Sequence, residues 1–261
     1  MFDTHSHLNF IDFKKDYTEI IEYSFNNGIN GIINIGAQLK TSKKAIKIAD
    51  EFLNKKIYAA IGLHPIYANN EKINAEEYQK MTKNPKVKAI GEIGLDYYRT
   101  SNVEIKNLQK KIFLKQLDLA KKLNLPIILH CRGNQEKPLI AYKEMLDILK
   151  NYPKLTGVIH CFGANWEIAE QFLYSNFSIS FTGKITFNND KEIEKVIEKI
   201  PLDKILTETD CPYLTPKPFQ GKRNEPLYVK YVIQKIAEIK KINFEKIDQI
   251  TTQNAIKLFN I

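Results

Sequence analysis

Short apolar runs recur along the chain, and each is followed by a longer stretch whose apolar residues return every three or four positions. The first pattern is that of a strand and the second that of an amphipathic helix. The runs predict strands at Phe2–Leu8, Asn30–Gly36, Ile57–Leu63, Val87–Ile93, Pro126–Cys131, Gly157–Phe162, Phe177–Phe181 and Lys204–Thr209. The helical spacing predicts helices at Lys15–Asn27, Ser42–Leu53, Ala75–Thr82, Glu104–Leu123, Pro138–Lys150, Trp166–Tyr174, Asp190–Lys199, Leu227–Lys240 and Phe244–Phe259.

Eight strands alternating with helices, without a linker-like shift in composition, form the pattern of an α/β fold, a (β/α)8 TIM barrel. The chain length of 261 residues suits one such domain over residues 1–261. An open doubly wound sheet is the alternative, but no glycine-rich dinucleotide loop follows the first strand. Neither an internal repeat nor a low-complexity segment interrupts the alternation.

Composition narrows the class. With 43% hydrophobic and 26% charged residues, the chain reads as an ordinary globular protein. No apolar run approaches the ~20 residues of a membrane span. The N-terminus lacks the basic and apolar regions of a signal peptide, so the expected location is cytoplasmic, with no membrane and no obligate protein partner. The net charge of +9 permits a nucleic-acid partner without establishing one, because only Arg99, Arg132 and Arg223 are arginine and the lysines are spread as solvated pairs. Three cysteines, Cys131, Cys161 and Cys211, argue against a disulfide framework. Each follows a candidate site residue, so on a strand each should point away from the site and pack beneath a helix.

Histidine is scarce, with five in the chain. His5 and His7 lie two apart and share one face of the first strand. His64, His130 and His160 each close an apolar run, Glu92 sits in the fourth, and Glu208 and Asp210 end the eighth. These are the C-terminal strand ends, where barrels gather their catalytic groups. Enclosing so many imidazoles and carboxylates is costly without a cation. A set of this size suits two divalent ions about 3.5–4 Å apart, with Glu92 placed centrally enough to bridge them.

Seven motifs in order then make the sequence resemble the TatD family of metal-dependent deoxyribonucleases, over the whole chain. They are Asp3-Thr-His-Ser-His-Leu8, Gly62-Leu-His-Pro65, Gly91-Glu-Ile-Gly-Leu-Asp-Tyr97, Leu129-His-Cys-Arg132, His160-Cys-Phe-Gly163, Thr207-Glu-Thr-Asp-Cys-Pro-Tyr-Leu214 and Gly221-Lys-Arg-Asn-Glu-Pro226. The resemblance implies metal ligands at His5, His7, Glu92, His130, His160 and Asp210, with Glu92 shared and Asp210 as general base. It implies two Mg2+, Mn2+ or Zn2+ ions and 3′→5′ hydrolysis of single-stranded DNA. His64, Arg132, Lys222, Arg223 and Glu208 are the expected substrate contacts. Two departures stand out: Ser6 replaces a frequent cysteine, and Gly133 replaces a frequent aspartate. Another ester or amide substrate, such as mis-charged tRNA, is the alternative for the same metal box.

Overall fold

A computed structural model describes residues 1–187 and 190–261. Among them, eight parallel strands pair in sequence order: β1 (Phe2–Ser6), β2 (Gly31–Ile35), β3 (Ile57–Ile61), β4 (Val87–Asp96), β5 (Ile127–Arg132), β6 (Gly157–Ile159), β7 (Phe177–Phe181) and β8 (Ile205–Thr207). Nine α-helices among the described residues alternate with and follow them: α1 (Tyr17–Asn26), α2 (Leu39–Glu51), α3 (Ala75–Met81), α4 (Val103–Leu123), α5 (Ile140–Leu149), α6 (Trp166–Tyr174), α7 (Lys191–Lys199), α8 (Val229–Lys240) and α9 (Phe244–Phe259). The sheet closes between its first and last strands. Thr4 Oγ1 donates to the Thr207 carbonyl at 3.1 Å, while the Asp210 N–H donates to His5 O and the His7 N–H to Cys211 O, each at 2.8 Å. The fold is a TIM barrel, as the alternation of patterns predicts.

Both faces of the strands are covered, which is why they read as apolar runs rather than alternating ones. Phe2, Ile33, Ile35, Ala60, Ala89, Ile128, Val158 and Leu206 form one cluster from seven strands, the barrel filling, joined by Ala255 and Phe259 of α9. Residues on the other strand faces pack under the helices in a larger cluster. Burial of each large apolar side chain contributes about 1.5–3 kcal/mol. The many asparagines have a local use. Asn74, Asn102, Asn165 and Asn243 accept first-turn N–H groups at the starts of α3, α4, α6 and α9, and Asp190 does the same for α7. Each such cap is worth about 1 kcal/mol. No helix among the described residues is long and apolar enough to cross a membrane.

Strand ends depart from expectation where the chemistry lies. β6 and β8 stop at Ile159 and Thr207, because Cys161 (φ 45°) and Asp210 (φ 57°) turn the backbone into the left-handed region. His160, Glu208 and Asp210 therefore sit just beyond their strands. The same turn overturns the expectation for Cys161, which faces the pocket at the strand ends instead of packing outward. β4, by contrast, runs three residues past Ile93 and keeps pairing with β5. Gly94 permits this approach, since a Cβ there would collide with the carbonyl oxygen of His130.

Candidate metal centre

Glu92 lies at the middle of the cluster, 4% exposed, and its two carboxylate oxygens face two different sets of groups. Oε2 lies 3.4 Å from His5 Nε2 and 3.8 Å from His7 Nε2. Those two nitrogens are 3.2 Å apart, and Asp210 Oδ1 is 3.6 Å and 3.3 Å from them. Donors on a tetrahedral ion with bonds of about 2.0–2.1 Å lie roughly 3.3–3.4 Å from one another. The four atoms are spaced as such a shell requires. His7 Nδ1 donates to the Ile35 carbonyl at 3.0 Å, which leaves its Nε2 lone pair for a cation.

Glu92 Oε1 faces the second set. His130 Nδ1 is 2.7 Å away and His160 Nε2 2.9 Å, with 3.3 Å between the two nitrogens. Each ring is held from behind by a carboxylate. His130 Nε2 donates to Asp96 Oδ2 at 3.0 Å, and His160 Nδ1 to Glu208 Oε1 at 3.2 Å. A carboxylate behind an imidazole fixes the tautomer that offers the opposite nitrogen to a metal.

His64 Nε2 also approaches Glu92 Oε1, at 3.2 Å, so distance alone groups His64 with Glu92 and His130. Its other nitrogen decides the matter. Nδ1 accepts the Ile66 N–H at 3.1 Å, so the proton of a neutral ring is on Nε2, which enters the site as a donor rather than a ligand. The grouping of His5 and His160 with Glu208 resolves similarly, because His160 Nδ1 turns its proton toward that carboxylate.

The electrostatics are those of a cluster in which imidazoles and carboxylates hold one another's charge. Burial alone would raise the Glu92 carboxyl, yet His64, His160 and His130 hold it well below the usual carboxylate range. Burial likewise opposes charge on His160, but Glu92 and Glu208 hold its pKa well above the ordinary histidine value. For Asp210, burial is outweighed by His7, His5 and His160, and its carboxyl is lowered. His5 goes the other way, lowered by burial and then by His160, and its buried Nδ1 has no hydrogen-bond partner among the described residues. Were the imidazoles neutral, Glu92, Asp96, Glu208 and Asp210 would place four carboxylates in one cluster, which divalent ions would offset. The donor set fits such ions.

The cluster forms the floor of a pocket of about 640 Å³. Of the residues singled out in the sequence, His7, His64, Glu92, His130, His160, Asp210 and Arg132 line it, and His5 is buried directly behind. Three expected substrate contacts lie elsewhere. Glu208 is 1% exposed and spent on His160, the Cys161 N–H (2.7 Å) and Ser180 Oγ (2.6 Å), so it positions rather than touches substrate. Arg223 is clamped by both oxygens of Asp16, at 3.0 Å and 2.7 Å, lies over the Phe13 ring, and does not line the pocket. Lys222 is outside the pocket, with its ammonium 5.8 Å from the Phe219 ring. Asp96 was not among the expected site residues. The available signal was its position four residues after Glu92, on the same face of an extended strand.

Comparison with known proteins follows the same lines. The family model described as "TatD related DNase" matches residues 2–260. The metal-dependent hydrolase YabD of Bacillus subtilis, itself described as uncharacterized, is 42% identical over 100% of this chain and 99% of its own. The 3′-5′ ssDNA/RNA exonuclease TatD of Shigella flexneri is 32% identical over 100% of this chain and 99% of its own. Among solved structures, the TatD homolog YjjV of Escherichia coli superposes with a TM-score of 0.88 at 28% identity, covering 100% of this chain and 98% of that one.

Proposed function

The chain belongs to the family of TatD-related DNases, metal-dependent hydrolases, and we propose that it is a 3′→5′ exonuclease of single-stranded DNA. The observation that carries the reading is the division of Glu92 between two donor sets on the floor of a pocket that Arg132 also lines. In this reading His5, His7, Asp210 and Glu92 would hold one divalent ion, and His130, His160 and Glu92 would hold a second. Bound there, such ions acidify water and neutralise charge at a phosphate.

The chain's own groups do the rest. Asp210, whose carboxyl is held below its ordinary range against burial, is ionised near neutral pH and accepts the proton of the attacking water. His64 Nε2, a donor 3.2 Å from Glu92 Oε1 on the pocket floor, would share its proton with a phosphate oxygen bound beside that carboxylate. Arg132 lies in the pocket with a planar guanidinium suited to a phosphate. Asp96 and Glu208 keep His130 and His160 in the required tautomers.

Digestion of 5′- and 3′-labelled single-stranded oligonucleotides with Mg2+, Mn2+ or Zn2+ tests the proposal. The expected result is a descending ladder from the 5′ label, immediate release of the 3′ label, and loss of both in His130→Ala and Asp210→Asn. Wild-type protein inert on DNA with every metal contradicts it.

A further inference from the structure

Two tyrosines at the pocket mouth are exposed in a way the catalytic cluster does not explain. Tyr98 is 44% exposed and Tyr213 53% exposed, and both line the pocket. Single exposed aromatics need no explanation, but each of these is joined to one half of the metal centre. On one side Phe10 stacks on the His7 ring (4.3 Å, 19°) and meets Tyr213 edge-on at 6.5 Å, so a row of rings climbs from the first donor set to the rim. On the other side Asp96 holds His130 through Oδ2 and the Tyr98 N–H through Oδ1, at 3.0 Å each.

The cations lining the pocket are Arg99, Arg132 and Lys184. The chain has 39 lysines and arginines, but its only arginines are Arg99, Arg132 and Arg223, and two of these three line the pocket. Arg132 Cζ lies over the Tyr98 ring, 3.7 Å from its centroid, a contact that braces the ring while Arg132 also lines the pocket. Exposed rings alternating with guanidinium groups are the recurring way to hold unpaired bases and their phosphates without reading sequence.

We propose that Tyr98 and Tyr213 are stacking platforms for the two nucleobases flanking the scissile phosphate, one on each, with Arg132 and Arg99 holding the adjoining phosphates. The inference rests on the nuclease reading and adds a specificity to it. The substrate must present two unstacked bases, so a blunt duplex end is poor, base identity matters little, and an isolated phosphate diester is inadequate.

The test pairs variants with abasic substrates. Hexanucleotides that are intact, or abasic at the 3′-terminal or penultimate position, are assayed for binding in EDTA by anisotropy and for cleavage with Mn2+. Each lost stacking contact weakens binding and raises KM between about 5-fold and about 150-fold, with kcat much less changed. Tyr213→Ala and Tyr98→Ala lose this factor on the intact strand. Each loses nothing further on the strand lacking the base it holds, while Tyr→Phe variants retain the wild-type value. Wild-type protein indifferent to both abasic positions, or variants equally impaired on intact and abasic strands, overturns the stacking assignment while cleavage of DNA leaves the nuclease reading standing. Failure of wild-type protein to bind or cut any oligonucleotide removes both.

Discussion

Asp96→Asn changes one atom and separates the roles assigned to the two halves of the centre. Asp96 is 2% exposed, so no bulk water can replace what it loses. Its Oδ1 accepts the Tyr98 N–H at 3.0 Å and the Arg99 N–H at 3.4 Å. An asparagine must keep its oxygen there, which turns its NH2 toward His130 Nε2. That nitrogen must then accept, and the ring proton moves to Nδ1, 2.7 Å from Glu92 Oε1. The protein satisfies its hydrogen bonds, but Nδ1 no longer offers a lone pair to a cation. Loss of such a supporting carboxylate weakens metal binding about 10- to 100-fold, or about 1.4–2.8 kcal/mol. Calorimetric titration of metal-free protein with Zn2+ or Mn2+ should show one binding step weakened by this factor and one unchanged, the latter belonging to His5, His7 and Asp210. Two unchanged steps, or two equally weakened ones, would refute the tautomer argument.

Glu208 should respond differently to the same kind of substitution. Glu208→Gln keeps an oxygen for His160 and the Cys161 N–H, and the Ser180 hydroxyl can turn to accept from the new NH2, so metal affinity in the same titration should stay close to wild type. Glu208→Ala should lose about 10- to 100-fold, and Gln proving as damaging as Ala contradicts this. Arg223→Ala should cost about 1 kcal/mol of stability, read by urea denaturation, as expected for a partly exposed bidentate pair. Its hydrogen bond holds the Asp16 carboxyl below its ordinary value, so this contribution is full above the unfolded aspartate pKa and is lost as pH falls through the lower folded one. The difference between wild type and Arg223→Ala should therefore be constant from about pH 6 to 8 and shrink below about pH 4; growth on acidification would contradict the assignment.

Much of the barrel was legible because parallel strands covered on both faces leave short apolar runs, as in Ile57–Ile61 and Ile127–Leu129, that alternate with longer stretches of helical period. The clustering of His5, His7, Glu92, His130, His160 and Asp210 was legible because a strand end is a defined place and histidine is scarce. What escaped depends on atoms rather than on spacing. Whether His64 is a ligand or a donor turns on the Ile66 N–H that occupies its Nδ1. Arg223 reads as a phosphate contact until Asp16, 207 residues away, is found across it. Cys161 and Asp210 adopt left-handed backbone that neither residue type announces, and this moves His160, Glu208 and Asp210 off their strands. Asp96 was within reach of simple alternation from Glu92.

The central claim is that Glu92 stands between two ions. Anomalous diffraction at the zinc or manganese edge, from crystals loaded with that metal, tests it most directly. The expected map has two peaks about 3.5–4 Å apart, one beside Glu92 Oε2 among His5, His7 and Asp210, the other beside Oε1 between His130 and His160. A single peak, or a peak bound through His64 in place of His160, would contradict it.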